Sequence, residues 1–300
     1  MGRRVIRKQA FKRAVFFYGW NAFVVATVVV LACGKQSGLQ SEPAVPFSNK
    51  PLTMAVFSKL GDSATDSPLA GLGEALEHLS AAEREEVDVR LYVTGADITQ
   101  AQADAHREAL GIVASAVPDN GGKNFEKMVG AGKDYPALML VDRNGESVSG
   151  AQTGATEDWN ETVLQAGHIL RNRITLMLFG APWCTACKQD LPAIEKAIGE
   201  LPARQRVGLR TQLYVTTDVS PSAPATQKVA EAYRNALHLE APAFADAWRW
   251  KGFKKYVGGD LVLPGAAVLD PSNNILRAYR AGGTTFVPAE IVDFASRSIP

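Results

Sequence analysis

The chain has 300 residues, of which 46% are hydrophobic and 21% charged. This balance is typical of a globular protein, and the length is enough for about two domains. The formal net charge is +1, but six basic residues between Arg3 and Arg13 precede the first acidic residue. Without these six, 26 basic residues face 31 acidic ones, a net charge of −5. This balance argues against a nucleic-acid partner, which requires a basic face.

The amino terminus has the parts of an export signal. Residues Ala14 to Ala32 are uncharged and mostly apolar, follow the basic cluster and end before Cys33. The four residues Val30 to Cys33 resemble a bacterial lipobox, which predicts cleavage before Cys33 and lipid attachment to its thiol. The alternative is an uncleaved anchor, because about 19 apolar residues can span a bilayer. Both interpretations of residues 1–33 predict a membrane-tethered protein of the cell envelope, periplasmic or otherwise extracytoplasmic.

Residues 34–49 are polar and rich in Gly, Ser and Pro, which predicts a flexible linker. The segment that begins at Met54 then matches the one that begins at Leu176 at a constant offset of 122 residues. Further on the offset becomes 128, which indicates an insertion of about six residues in the second half. The matched pairs include Phe57 with Phe179, Leu69 with Leu191, Pro136 with Pro264, Asp142 with Asp270 and Gly154 with Gly282.

Each half shows strands alternating with helices, followed by a hairpin and a closing helix. This order predicts an α/β fold with a mixed central sheet flanked by helices in domains 50–172 and 173–300. The short joint near Arg171 predicts that the domains pack against each other. In the first domain we expect strands at 52–58, 88–94 and 137–141 and helices at 68–80, 100–116 and 157–170. In the second we expect strands at 174–179 and 208–216, hairpin strands around 273–274, and helices at 184–200, 226–237 and 288–298.

Two cysteines lie where the first strand of the second domain meets its helix. Cys184 is predicted at the helix N-terminus and Cys187 one turn further in. Unpaired amides and the helix dipole stabilise a thiolate there, which lowers the pKa of Cys184 and makes it the nucleophile. Cys187 could then resolve a mixed disulfide. The other readings are half of a zinc site, for which no second ligand pair is present, and a static disulfide.

The segment WCTACKQDLP, with Trp183 before the first cysteine and Pro192 after the second, resembles the thioredoxin superfamily. It looks most like the membrane-tethered thiol-disulfide oxidoreductases of bacterial envelopes, including the cytochrome c maturation type. The resemblance implies two tandem thioredoxin-like domains. It also implies a cis bond between Leu263 and Pro264, which would face the cysteines.

In the same way the resemblance assigns Trp183 to the covering of the sulfurs, and Lys188 could favour a thiolate through its charge. The first domain has Asp62 and Thr65 in place of the cysteines, so it is expected to lack dithiol chemistry, and its polar residues there are expected to be helix caps. Leu178 stands where cytoplasmic thioredoxins have a buried aspartate. The aromatic and basic residues 248–256 either form a partner surface or a packed helix end.

The resulting hypothesis is an oxidoreductase that exchanges disulfides with protein substrates and uses a membrane thiol donor or acceptor, with no cofactor or metal. The first alternative is a noncatalytic lipoprotein that uses the same folds as a scaffold for binding. The second is a copper chaperone with His238 as a third ligand. The other histidines, His78, His106 and His168, show no ligand spacing and are expected to be surface or satisfied residues.

Overall fold

The computed structural model describes residues 50–154, 159–216, 225–246, 250–281 and 286–300. The predictions for the export signal, Cys33 and the linker lie outside these residues, as do those for Trp248 and Gly282. The described residues belong to one compact unit that contains two five-stranded sheets.

The first sheet is built around strand β1 (Leu52–Lys59), which is buried from Leu52 to Ser58. Both faces of this apolar run are covered, and a neighbouring strand pairs with each of its two edges. It pairs in parallel with β2 and antiparallel with β4, and the strand order is β3-β2-β1-β4-β5. The elements are β1 (Leu52–Lys59), α1 (Ser63–Ala70), α2 (Leu72–Leu76), α3 (Ala81–Glu86), β2 (Val87–Gly95), α4 (Gln100–Leu110), β3 (Ser115–Asn120), α5 (Lys123–Met128), β4 (Ala137–Asp142), β5 (Gln152–Thr153) and α6 (Trp159–Arg171).

The second sheet has the same topology. Its central strand β6 pairs in parallel with β7 and antiparallel with β9, in the order β8-β7-β6-β9-β10. The predicted α/β class, with a mixed central sheet flanked by helices in each half, is confirmed. The elements are β6 (Ile174–Gly180), α7 (Cys187–Gly199), α8 (Ala203–Val207), β7 (Leu209–Val215), α9 (Gln227–Ala236), β8 (Ala243–Ala245), α10 (Lys251–Tyr256), β9 (Gly265–Leu269), β10 (Ile275–Arg280) and α11 (Pro288–Arg297).

The two halves also repeat individual contacts. In each half a phenylalanine of the central strand stacks on a tyrosine of the neighbouring parallel strand and meets a second phenylalanine edge-on. The edge-on ring centroids are 5.5 Å apart in the first half and 5.6 Å in the second. The two sets are Phe57, Tyr92 and Phe125, and Phe179, Tyr214 and Phe253.

A buried aspartate lies at the carboxyl end of the third strand of each half, within β3 as Asp119 and directly after β8 as Asp246. Asp119 accepts hydrogen bonds from the amides of Asn124 and Phe125 at the start of α5. Asp246 accepts them from Gly252 and Phe253 at the start of α10. Each carboxylate therefore satisfies amides that the short helix leaves unpaired. Neither cap was predicted from the sequence.

Several element boundaries differ from the predictions. The helix predicted at 68–80 is divided into α1 and α2, and Ser80 instead starts α3 through a capping box with Glu83. The helix predicted at 100–116 ends at Leu110, because Gly111 takes a left-handed conformation that stops it. Strands β3 and β8 were not predicted, since both are short parallel strands whose pairing depends on a distant neighbour.

The two halves pack against each other, as the short joint predicted. Ala203 and Val207 of α8 belong to the hydrophobic core of the first half. Between them Arg206 binds Asp142 at the end of β4, with 2.7 Å separating the charged atoms. The joint therefore combines apolar burial with a buried ion pair.

Candidate functional site

The cysteine pair lies at the carboxyl end of β6, in the turn that leads to α7. The amide of Cys184 donates to the carbonyl of Ala181 at 3.0 Å, which closes this turn. The helix begins at Cys187 and not at Cys184 as predicted. The reason is local, because the amide of Cys187 donates to the sulfur of Cys184 at 3.1 Å, and the first helical backbone bond runs from Asp190 to Ala186.

Cys184 and Cys187 form a disulfide, with their Cα atoms 5.3 Å apart. Cys187 is fully buried, whereas Cys184 is 5% exposed. The more exposed cysteine is therefore the one whose sulfur accepts an amide hydrogen bond at a helix N-terminus. This position stabilises negative charge on the Cys184 sulfur when the bond is broken.

The other predicted site residues surround the pair to different degrees. Trp183 is 47% exposed beside the disulfide, and Lys188 is exposed on α7. Leu263 is half-buried and packs against the core cluster that contains both cysteines. Pro264 is buried, and the Leu263–Pro264 bond is cis, as the resemblance implies.

Pro264 is placed near the cysteines by sheet pairing. It directly precedes β9, whose first residue, Gly265, pairs with Phe179 of β6. Phe179 is five residues before Cys184, so the proline leads into the sheet beside the strand that carries the pair. A Cβ atom on Gly265 would lie 2.6 Å from a ring carbon of Phe253, so α10 holds this strand from the opposite face.

The segment 248–256 is described only from Trp250 onward. Phe253 is fully buried, and Trp250 and Tyr256 pack partly against the same cluster. Lys254 lies over the ring of Trp250, with 5.4 Å between the ammonium group and the ring centroid. These contacts favour the packed helix end, with its lysines on the outside, over a separate partner surface.

Leu178 and Tyr233 belong to the same core cluster as the pair, and of these two only Tyr233 was not identified from the sequence. Leu178 is fully buried, so the position of the missing aspartate is apolar in the structure as well. Tyr233 of α9 is buried in the same cluster as the cysteines, and its hydroxyl lies near Gly180. Burial raises the pKa of Tyr233 to about 12. Tyr233 corresponds to His106 of the first half at an offset of 127 residues. This correspondence is the sequence signal from which Tyr233 could have been identified.

The corresponding position in the first half is a capped helix without thiols. Asp62 is the N-cap of α1 and accepts a hydrogen bond from Ala64 at 3.1 Å, which confirms its predicted capping role. Below it, Nε2 of buried His106 lies 2.9 Å from the hydroxyl oxygen of Ser58 and 3.6 Å from Asp66. His106 is thus a satisfied buried residue, as expected.

The described residues give no support to the metal-binding alternative. They contain no group of three or more His, Cys, Asp or Glu side chains that could hold a metal ion. His238, the predicted third copper ligand, is exposed just after α9, and His78 and His168 are exposed too. Within the same described ranges, no helix is both long and apolar enough to cross a membrane.

No protein-family model and no curated protein matches the chain. Solved structures with a similar fold include a thioredoxin-family thiol:disulfide interchange protein from Chlorobium tepidum, 17% identical, which covers 43% of this chain and 83% of its own length with a TM-score of 0.32. A putative thioredoxin from Neisseria meningitidis is 19% identical. The match covers 55% of this chain and 91% of the Neisseria protein, with a TM-score of 0.32. An exposed lipoprotein thioredoxin from Streptococcus pneumoniae is 15% identical. The match covers 43% of this chain and 87% of the pneumococcal protein, with a TM-score of 0.33.

Proposed function

We propose that the chain is a membrane-tethered thiol-disulfide oxidoreductase of the thioredoxin superfamily, which exchanges disulfides with protein substrates outside the cytoplasm. The observation that carries this proposal is the disulfide at the junction of β6 and α7, with an amide of the helix start on the sulfur of Cys184. Extracytoplasmic placement and the tether rest on the basic and apolar sequence before Cys33. Lipid on Cys33 would leave Cys184 and Cys187 as the only free pair of thiols.

In the reducing direction, the thiolate of Cys184 attacks a substrate disulfide. A mixed disulfide forms and one substrate thiolate leaves. The thiolate of Cys187 then attacks the Cys184 sulfur, which releases the second substrate thiolate and closes the disulfide found in the structure. The pair loses two electrons and two protons to the substrate, and a membrane dithiol donor must restore them. Oxidation of a substrate dithiol is the reverse sequence and needs a membrane acceptor.

Four residues would shape this site. The exposed ring of Trp183 can contact a substrate beside the disulfide, and Lys188 adds a positive charge near the helix start. The chain at Leu263 and Pro264 lies beside the end of β6, where the backbone of Leu263 could pair with an extended substrate segment. We assign the first domain, residues 50–172, to positioning or partner binding, because Asp62 and Thr65 replace the cysteines.

The test is to trap the covalent intermediate. Replacing Cys187 by Ser removes the resolving thiol, so the variant should accumulate mixed disulfides with protein substrates through Cys184. Replacing Cys184 by Ser is the matched control, since it keeps one cysteine in the same motif but removes the accessible nucleophile, and it should trap little. Equal trapping by both variants, or none by either, would contradict the proposal.

The reduction potential of the cysteine pair would determine whether the protein reduces or oxidises its substrates. A value of about −270 mV indicates a reductant fed by a membrane donor, and one of about −120 mV indicates an oxidant. A pair that stays oxidised at every practical glutathione ratio would support the scaffold alternative, in which the disulfide is permanent.

A further inference from the structure

A cavity of about 410 Å³ lies near the amino ends of β6 and β7, where residues of both halves line it. Arg173 directly precedes β6, and Arg210 is the second residue of β7, opposite Thr175. Cys184 follows the other end of β6, and the 7 residues of this strand span about 20 Å. The cavity is therefore separate from the disulfide, and the proposed function makes no use of it.

Two arginines of this cavity share a single carboxylate. Glu86 at the end of α3 binds both Arg173 and Arg210, and among the described residues neither arginine makes another ion pair. The side chain of Arg173 is only 8% exposed, and its Nε atom has no hydrogen-bond partner in the described part of the chain. Burial lowers the pKa of Arg173 to about 10, opposed by the charge of Glu86 and assisted by that of Arg210. One positive charge at this point of the wall therefore lacks a counter-charge.

The other carboxylates of the cavity wall have partners of their own. Asp142 binds Arg206, with 2.7 Å between the charged atoms, and Glu240 binds Arg143. Glu195 accepts a hydrogen bond from a backbone amide at 2.9 Å. These groups are already engaged, so the excess positive charge beside the shared carboxylate stays in place.

The first half has a cavity of about 450 Å³ at the corresponding place, and its wall is different. At the offset of 122 residues it has Asp88 in place of Arg210 and Gly73 in place of Glu195. Asp88 is bound by Arg90 of its own strand at 2.6 Å. The charged wall therefore belongs to the second cavity and is not a consequence of the topology that the two halves share.

We propose that the cavity in the second half binds a small organic anion, whose carboxylate or phosphate group lies between Arg173 and Arg210. Guanidinium groups bind both kinds of anion through pairs of charge-assisted hydrogen bonds. Three apolar side chains line the same cavity, so the body of the ligand is apolar. Its volume lies within the range of small-molecule pockets, about 300–1,000 Å³. The apolar side chains are those of Ile198, Val207 and Leu209.

Isothermal titration calorimetry of the oxidised full-length chain at neutral pH tests this site, with benzoate, hexanoate and phenyl phosphate as probes. Benzamide and hexanamide have the shapes of the two carboxylates without their charge and are the ligand controls. At least one of the three anions should bind, and neither amide should. Stronger binding of phenyl phosphate would identify a phosphate ligand, and stronger binding of a carboxylate would identify a carboxylic acid. No binding by any of the three anions, or equal binding of a carboxylate and its amide, would overturn the proposal.

A pair of variants then tests the arginines themselves. Arg210→Gln removes one of the two guanidinium groups and should weaken anion binding at least about tenfold, because its charge-assisted hydrogen bonds are lost. Arg143→Gln is the matched control, since it removes the same charge from the same cavity but from an arginine that Glu240 already pairs. Its affinity should change by less than about threefold. Both side chains are partly exposed, 41% for Arg210 and 37% for Arg143, so both variants should fold. Equal losses of affinity in the two variants would refute binding between Arg173 and Arg210.

Discussion

Replacing Glu86 by Gln should reveal how strongly the joint between the halves depends on one carboxylate. Glu86, the last residue of α3, binds both Arg173, which precedes β6, and Arg210 of β7. The side chain of Arg173 is only 8% exposed, and burial, opposed by the charge of Glu86, lowers its pKa to about 10. Arg173 is therefore charged at neutral pH, and removal of the Glu86 charge leaves a buried cation without this partner.

Removal of one partner from a buried ion pair destabilises a protein by about 3–5 kcal/mol. We expect about 3 kcal/mol for E86Q, at the lower end, because the Glu86 side chain is itself 30% exposed and water can partly replace it. Urea unfolding of the oxidised full-length chain, followed by circular dichroism, measures this difference. Glu240→Gln is the matched control, since Glu240 pairs with Arg143 at the surface and its loss should change stability by about 0–1 kcal/mol.

A double variant distinguishes a stranded charge from a lost contact. In R173M/E86Q the buried charge is gone and an apolar chain of similar length remains, so this variant should be more stable than E86Q alone. Arg210 loses its partner too, but its side chain is 41% exposed and remains hydrated. A change below about 1 kcal/mol for E86Q, or a double variant no more stable than E86Q, would refute the reasoning.

Two further predictions concern α7 and the strand beside the site. Burial raises the pKa of Glu195 above its ordinary value of 4.5, so wild-type stability should fall as the pH rises from that value through the folded-state pKa. Glu195→Gln keeps an acceptor for the amide of Ala241 and should raise the melting temperature more at neutral pH than at about pH 4; an equal gain at both would contradict this. Gly265→Ala should destabilise the fold by about 1–3 kcal/mol in urea unfolding, because fully buried Phe253 stands in the way of the new methyl group. Gly199→Ala, where the added carbon meets no atom within 4 Å, is its control, and equal effects of the two changes would refute the overpacking argument.

Much of the fold could be predicted from local pattern. The central strands β1 and β6 are continuous apolar runs, and Pro288 and Thr226 mark the starts of α11 and α9 within one residue. The missed strands are different. The three residues of β8 become a strand only by pairing with Leu213 to Val215, so their state depends on a neighbour far along the chain.

The position of the cysteine pair could be predicted from the sequence, because two cysteines separated by two residues after a buried strand are a local pattern. It also indicated the internal repeat, since matching apolar residues at a constant offset need no knowledge of contacts. The groups that share the core with the sulfurs could be identified only from the fold. Tyr233 is distant from Cys187 in the chain and meets its helix through the packing of α9 against β6. Burial, and with it the raised pKa of that hydroxyl, depends on every element packed around it and has no signature in the local sequence.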